Sequence, residues 1–283
     1  MEPGPPHQYQ PLQSAKHIRI IILEPSIDPT SPLVFSFDQD NLTNLAGQYE
    51  ALSYTWGVPN LVLPLHCLDG SQVCVTENLD RFLRRLRLKI DKKWLWADAA
   101  CINQADGAEK AVQIPLMVDI FRGAKGVLAW LGSGENGGEE AVRRLVQLSR
   151  CNVNSSVQDS VDQGMSFDSA DFKTTMSVLI NLPWFKRMWI IQEVVFNQDV
   201  TLICGTAEMS WVRFFASLNA FKRLLGDHYV FDHIQRIVSL WLRHSIVHEL
   251  QHSAHEEGIM ELMTTFGQYH CSDERDRIYA LFS

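Results

Sequence analysis

The sequence predicts an α/β fold: a mostly parallel sheet flanked by helices, followed by a C-terminal helical appendage. Three observations predict it. Strand-like and helix-like runs alternate up to about residue 205, the order that sets a parallel sheet between helices. From Trp211 onward the pattern is helical only. The 283 residues, 46% of them hydrophobic, are enough for one large core.

Residues 1–16, with the Pro-rich start "MEPGPPHQYQPLQ", read as a flexible lead-in. "HIRIIILEP" is a strand ended by Pro25. "YEALSYTW", 49–56, is a second, closed by Gly57. "LVLPLHCLDGSQVCVT", 61–76, has β-rich arms around Asp69-Gly70, a hairpin signal. Thr76 can cap a helix through "ENLDRFLRRLRL". "KWLWADAACI" is a further strand that enters a polar turn at Asn103 and Gln104. A proline is not expected deep inside a helix, so Pro115 sets the next helix start near Gln113. "GVLAWLG", 126–132, is a short strand between glycines. Residues 133–140 and 151–170 are rich in Gly, Ser, Asn and Asp and read as loops, the second long and mobile. Pro183 opens a helix through "PWFKRMWIIQEVV", "VTLICG" is a strand, and helices follow over 212–225, 231–256 and two shorter stretches. The expected units are 1–16, an α/β domain over 17–205, and a helical extension over 206–283. "ERDRIYALFS" shows no capping signal, so the extension is expected to continue.

A net charge of -8 argues against a general affinity for nucleic acid. The basic run "RFLRRLRLKIDKK", 81–93, reads as a solvated helix face, or else as a docking surface for phosphate or an acidic partner. No segment has the length of a membrane span, and the start has no basic region followed by an apolar run, so no secretory signal is read there. The six cysteines show no CxxC pair and no framework spacing, which predicts reduced thiols in a cytoplasmic protein.

One carboxylate, Glu193, stands in "PWFKRMWIIQEVV" among apolar residues. On a helix it shares a face with Phe185, Trp189 and Phe196, and the opposite side is apolar too. A buried carboxylate needs a partner. Two strand ends carry similar aromatic-then-polar stretches: Ser53, Tyr54, Trp56 and Gly57 at one, and Asp98, Cys101, Asn103 and Gln104 at the other. Ligands of α/β sheets bind outside the carboxyl ends of strands. The alternative reading is that Trp56 and Trp189 are core, Gly57 serves a turn, and Asn103 and Gln104 cap a helix.

"YEALSYTWG", "LWADAACINQ", "GVLAWLG", "PWFKRMWIIQEVV" and "RDRIYALF", in this order, resemble the HET (heterokaryon incompatibility) domain of filamentous fungi. The likeness covers about 49–205. Ala100 stands where the family usually has a larger apolar residue, and the region after 132 is idiosyncratic. The resemblance implies an effector of nonself recognition and programmed cell death. HET domains are similar to TIR domains, which have a flavodoxin-like sheet, and some TIR domains cleave NAD at the nicotinamide–ribose bond with one glutamate. By order of elements Glu193 would match that glutamate, and "SYTWG" the strand end beside the nucleotide. Ser53, Tyr54, Trp56, Gly57, Asp98, Cys101, Asn103, Gln104 and Trp189 would then surround NAD, as substrate rather than cofactor.

The chemistry is coherent. Nicotinamide leaves NAD⁺ as a neutral molecule, so the second carboxylate that most glycoside hydrolases use to protonate a leaving group is not required. One carboxylate can bond the ribose hydroxyls and stabilise the oxocarbenium charge. Trp56 or Trp189 can stack on the cationic ring. Glu193 would instead be structural if Arg187, Lys186 or a backbone donor pairs with it permanently. The other class of function is a non-enzymatic module that self-associates and recruits protein partners. A third is a zinc hydrolase built on "HELQH", 248–252, where His248 and His252 share a helix face with His244 and His255. No third-ligand motif follows it, and no metal is assigned. Cys101 has no His arranged to activate it.

Overall fold

The computed structural model of the chain describes residues 4–58, 60–149, 169–225, 232–250 and 269. In chain order these form β1 (His17–Leu23), β2 (Val34–Asn41), α1 (Leu42–Leu45), β3 (Glu50–Tyr54), β4 (Leu63–Cys67), β5 (Gln72–Val75), α2 (Glu77–Leu86), β6 (Lys93–Trp96), α3 (Asp98–Cys101), α4 (Gly107–Gly123), β7 (Gly126–Gly132), a 3₁₀ turn (Glu135–Gly137), α5 (Gly138–Leu148), α6 (Ser169–Ile180), a second 3₁₀ turn (Pro183–Lys186), α7 (Ile190–Val195), β8 (Val200–Cys204), β9 (Ala207–Ser210), α8 (Trp211–Leu225) and α9 (Asp232–Leu250).

The strands make one nine-stranded sheet in the order β5-β4-β2-β1-β6-β3-β7-β8-β9. The class is α/β as expected, but the sheet is mixed rather than mostly parallel. β6, β3, β7 and β8 form a parallel centre. β1 lies antiparallel to both β2 and β6, and antiparallel hairpins close both edges at β4–β5 and β8–β9. β2 escapes a reading of the sequence because "VFSFDQDN" starts apolar and ends in four polar residues, so its period-2 signal fades halfway. β9 is only four residues long. It returns through a tight turn at Gly205, whose φ of 56° favours glycine.

Helix boundaries moved where tertiary contacts outweigh local preference. α4 begins at Gly107, six residues before the expected start, because Asp106 caps it by accepting from the Ala108 and Glu109 amides at 2.9 and 3.2 Å. Pro115 is tolerated inside it. The expected single helix over 183–195 breaks into the 3₁₀ turn and α7, with Arg187 extended between them. The loop expected over 133–140 is mostly the 3₁₀ turn and the start of α5; the one over 151–170 lies almost wholly outside the described residues, as does "RDRIYALF".

After β9 the described elements are helical. Trp211, Phe214 and Leu218 of α8 and Ile234 and Ile237 of α9 belong to the same core cluster as the sheet. Residues 5–7 of the expected flexible lead-in pair with β5: the Gln72 amide donates to Pro5 O and the His7 amide to Gln72 O, both at 2.9 Å. No helix among the described residues is long and apolar enough to cross a membrane. The basic run 81–93 is largely neutralised, with Arg81 on Glu77 and Glu135, Arg84 on Asp80, Arg85 on Glu208, Lys92 on Glu24 and Lys93 on Glu50.

Arg19 interrupts the apolar run of β1 and is 2% exposed. Its guanidinium meets Glu109 of α4 in a two-pronged pair at 2.5 and 2.9 Å, and also donates to Cys101 O and Gln10 O. Glu109 in turn accepts from the Asn103 amide at 2.7 Å. This network fixes the loop that follows β6. Glu109→Gln leaves a buried guanidinium without its counter-charge, so urea denaturation is expected to show a loss of about 3 kcal/mol. An unchanged midpoint would mean that Arg19 finds another partner.

Candidate functional site

β3 and β6 are neighbours and parallel, so their carboxyl ends lie on one edge of the sheet. A cleft of about 630 Å³ opens there. Thr55, Trp56 and Gly57 from the end of β3 form one wall. Asp98, Ile102 and Gln104 beyond β6, with Lys110, Ile114 and Met117 of α4, form the second. Asn181, Pro183, Lys186, Arg187 and Trp189 close the third. Gly57 has a φ of 74°, which turns the chain away from the sheet.

Asp98 organises the first wall. Its carboxylate accepts from Tyr54 OH and Trp56 Nε1, each at 2.9 Å, and from the Ala99 amide at 2.8 Å. Gln104 Nε2 donates to the Asp98 carbonyl at 2.8 Å. The Trp56 indole is thus held by its own N–H while its ring faces the cleft. Burial, reinforced by the Asp98 charge, pushes the Tyr54 phenol far above its usual range, so it stays a donor.

Glu193 is on α7 and is 2% exposed. Arg187 grips it with both terminal nitrogens, at 3.0 and 3.1 Å, and Ser53 Oγ donates to Oε2 in a very short bond. Trp184 Nε1 donates to the same Ser53 oxygen at 2.7 Å. Burial pushes the Glu193 carboxyl up; Arg187 and Ser53 pull it back, and Asp98 nearby adds to the rise. Of the partners weighed from the sequence, Arg187 is the one that pairs, while Lys186 does not.

The expected site residues therefore divide. Trp56, Gly57, Asp98, Gln104 and Trp189 line the cleft. Ser53, Tyr54 and Glu193 lie behind its wall, so Glu193 reaches the cleft only through Arg187, which lines it. Asn103 serves the turn, accepting from the Ala105 amide at 3.2 Å. Cys101 is 1% exposed and its thiol is pushed up to about 12 by burial, which removes it as a nucleophile. The sequence did not flag Lys110, because the helix that carries it was expected to start only at Gln113. The ammonium groups of Lys110 and Lys186 have no carboxylate partner among the described residues. Of the His face near "HELQH", His244 stacks edge-on to Phe196 with ring centres 4.7 Å apart. The side chains of His248, His252 and His255 lie outside the described residues.

A family model described as heterokaryon incompatibility protein (HET) matches residues 49–193, just over half of the chain. Among curated proteins, heterokaryon incompatibility protein 6, OR allele, of Neurospora crassa is 26% identical over 226 residues. These cover 67% of this chain and 33% of that protein, so the chain spans about a third of the length of its relative. No solved structure matches the chain significantly.

The two halves of the buried pair should respond differently to mutation. In Glu193→Gln the Arg187 guanidinium, 17% exposed, can turn to water in the cleft, and the expected loss is about 1–2 kcal/mol. In Arg187→Met the carboxylate, 3% exposed, has no such exit, and the expected loss at neutral pH is about 3–5 kcal/mol. With Arg187 gone its carboxyl rises further, so the folded chain binds a proton that the unfolded chain does not. Stability of Arg187→Met should then be highest below the ordinary carboxylate range and fall as pH rises through the raised value. Urea titrations in acid and at neutral pH check both; equal losses at all pH values would contradict the asymmetry.

Proposed function

The chain belongs to the heterokaryon incompatibility (HET) family, and from that premise we propose that it is an effector module of fungal nonself recognition whose working part is a nucleotide cleft of the NAD class. One observation carries the reading. The cleft collects two indoles, Trp56 and Trp189, with three cations, Lys110, Lys186 and Arg187, and Arg187 joins it to a buried carboxylate. Flat rings suit stacking of an adenine or nicotinamide, and the cations suit a diphosphate.

The pair between Arg187 and Glu193 gives the cleft a way to act. A diphosphate offers Arg187 a second bidentate partner. When the guanidinium turns to it, Glu193 loses its counter-charge and faces the ligand, still held by Ser53. Its carboxylate is then free to accept from the ribose hydroxyls and to stabilise the positive charge that forms as neutral nicotinamide departs. The Glu193 carboxylate is 2% exposed, where its charge is weakly screened. TIR-like chemistry of this kind fits cell death by NAD loss, in a protein expected to work in the cytoplasm and to self-associate.

A second reading rests on a specific observation. Glu193 is as deeply buried and as fully paired as a structural ion pair, and a non-enzymatic assembly module would need nothing more of it.

Nicotinamide release from NAD⁺ separates the two. The purified chain, dilute and crowded, should release nicotinamide, and Glu193→Gln should lower the rate by at least about a hundredfold. Trp56→Ala, at the half-exposed cleft wall, should raise KM more than it lowers kcat. No release at any concentration, with Glu193→Gln folded and still able to trigger cell death, would establish the assembly reading.

A further inference from the structure

On the far edge of the sheet from β9, the hairpin of β4 and β5 carries a cluster that the cleft does not use. Cys67 ends β4, and Asp69 stands in the turn to β5. His7 reaches them from the N-terminal arm, 60 residues earlier in the chain. A ligand atom of His7, the Cys67 sulfur and an Asp69 oxygen all lie within 4.8 Å of one another. His7 Nδ1 is 3.7 Å from Asp69 Oδ2, a few tenths of an ångström wider than the roughly 3.3 Å between two such ligands on one tetrahedral zinc, so a small side-chain rotation closes the site.

The cluster is held as ligand sets are held. Asp69 Oδ1 is occupied by the Ser71 amide at 2.8 Å and the Ser71 hydroxyl at 2.5 Å, which leaves Oδ2 turned to His7. Ser71 Oγ also lies 2.8 Å from His7 Nδ1, a contact that the ring exchanges for the metal on binding. The His7 ring packs between Tyr9 and Phe37, with centres 5.1 Å from each. The arm itself is clamped to β5 through Pro5 and His7. Gly4 lies so close to the Gly70 carbonyl that a Cβ there would collide with it.

We propose that His7, Cys67 and Asp69 form a zinc site that clasps the N-terminal arm to the β4–β5 edge of the sheet. Imidazole, thiolate and carboxylate together select a borderline ion over calcium or magnesium, which prefer oxygen ligands only. Three protein ligands leave a fourth position for water. On binding, the Cys67 S–H bond breaks, a sulfur–zinc bond forms and the proton passes to solvent; His7 offers its Nδ1 lone pair after its proton moves to Nε2. The clasp has a consequence for the cleft. Tyr9 OH donates to the Ala100 carbonyl at 2.9 Å, and Gln10 O accepts from Arg19, so the same arm braces the loop that carries Asp98 and Gln104.

Cobalt(II) added to the reduced, metal-stripped chain tests the site without reference to any activity. One equivalent should bring up a near-ultraviolet thiolate-to-cobalt band that zinc then displaces. Cys67→Ser should abolish the band, His7→Ala should weaken binding by at least about tenfold, and Cys74→Ser, on the exposed side of β5, should leave both unchanged. His7 and Cys67 lie at the sheet edge, so far-ultraviolet circular dichroism of the metal-free variants should match the parent. No thiolate band, a band that survives Cys67→Ser, or full affinity in His7→Ala overturns the proposal.

Discussion

The carboxylate of Glu193 in the middle of the core is the constraint around which this half of the molecule is arranged. An ionised group at that depth is stable only if it is surrounded by donors. Two stretches distant in sequence supply and support them. Ser53 comes from the central parallel strand, Arg187 from the break before α7, and Trp184 supports Ser53 from the 3₁₀ turn. Their shared bonds set the end of β3, the break and α7 in one fixed relation. Because Arg187 also lines the cleft, the interaction that stabilises the core forms part of the cleft wall.

A second buried pair repeats this logic two strands away in the sheet. Arg19 and Glu109 join β1 to the start of α4, and through Cys101 and Asn103 they hold the loop between. That loop presents Asp98, which orients Trp56, and Gln104. The polar cleft at the ends of β3 and β6 is therefore backed on both sides by charge pairs that have been taken out of water. Removing Glu109 or Arg187 is costly because the surviving charge stays buried, and this makes the cleft's shape hard to relax.

Much of this was legible in the sequence, for reasons that can be stated residue by residue. Trp56, Asp98, Gln104 and Trp189 stood out because aromatic and polar residues follow short apolar runs, and in an α/β sheet that position faces the ligand edge. The burial of Glu193 could be read from its apolar neighbours. What hid was decided by tertiary contact. The choice of Arg187 over Lys186, one residue apart, depends on a backbone break that lets Trp184 reach Ser53, and no local preference encodes that break. Pro115 pointed to a late start for α4, yet the Asp106 cap set it six residues earlier and brought Lys110 into the cleft. β2 hid behind its polar half, and its antiparallel pairing with β1, like that of β1 with β6, belongs to the mixed flank of the sheet.

A crystal structure of the chain grown with saturating ADP-ribose is the measurement to make first. If the pair between Glu193 and Arg187 is the switch of the cleft, the ligand lies against Trp56 or Trp189, with Arg187 turned onto its diphosphate and Glu193 released toward the ribose. A cleft left empty at saturation, or a bound ligand beside an undisturbed pair, contradicts that arrangement and leaves Glu193 a structural residue.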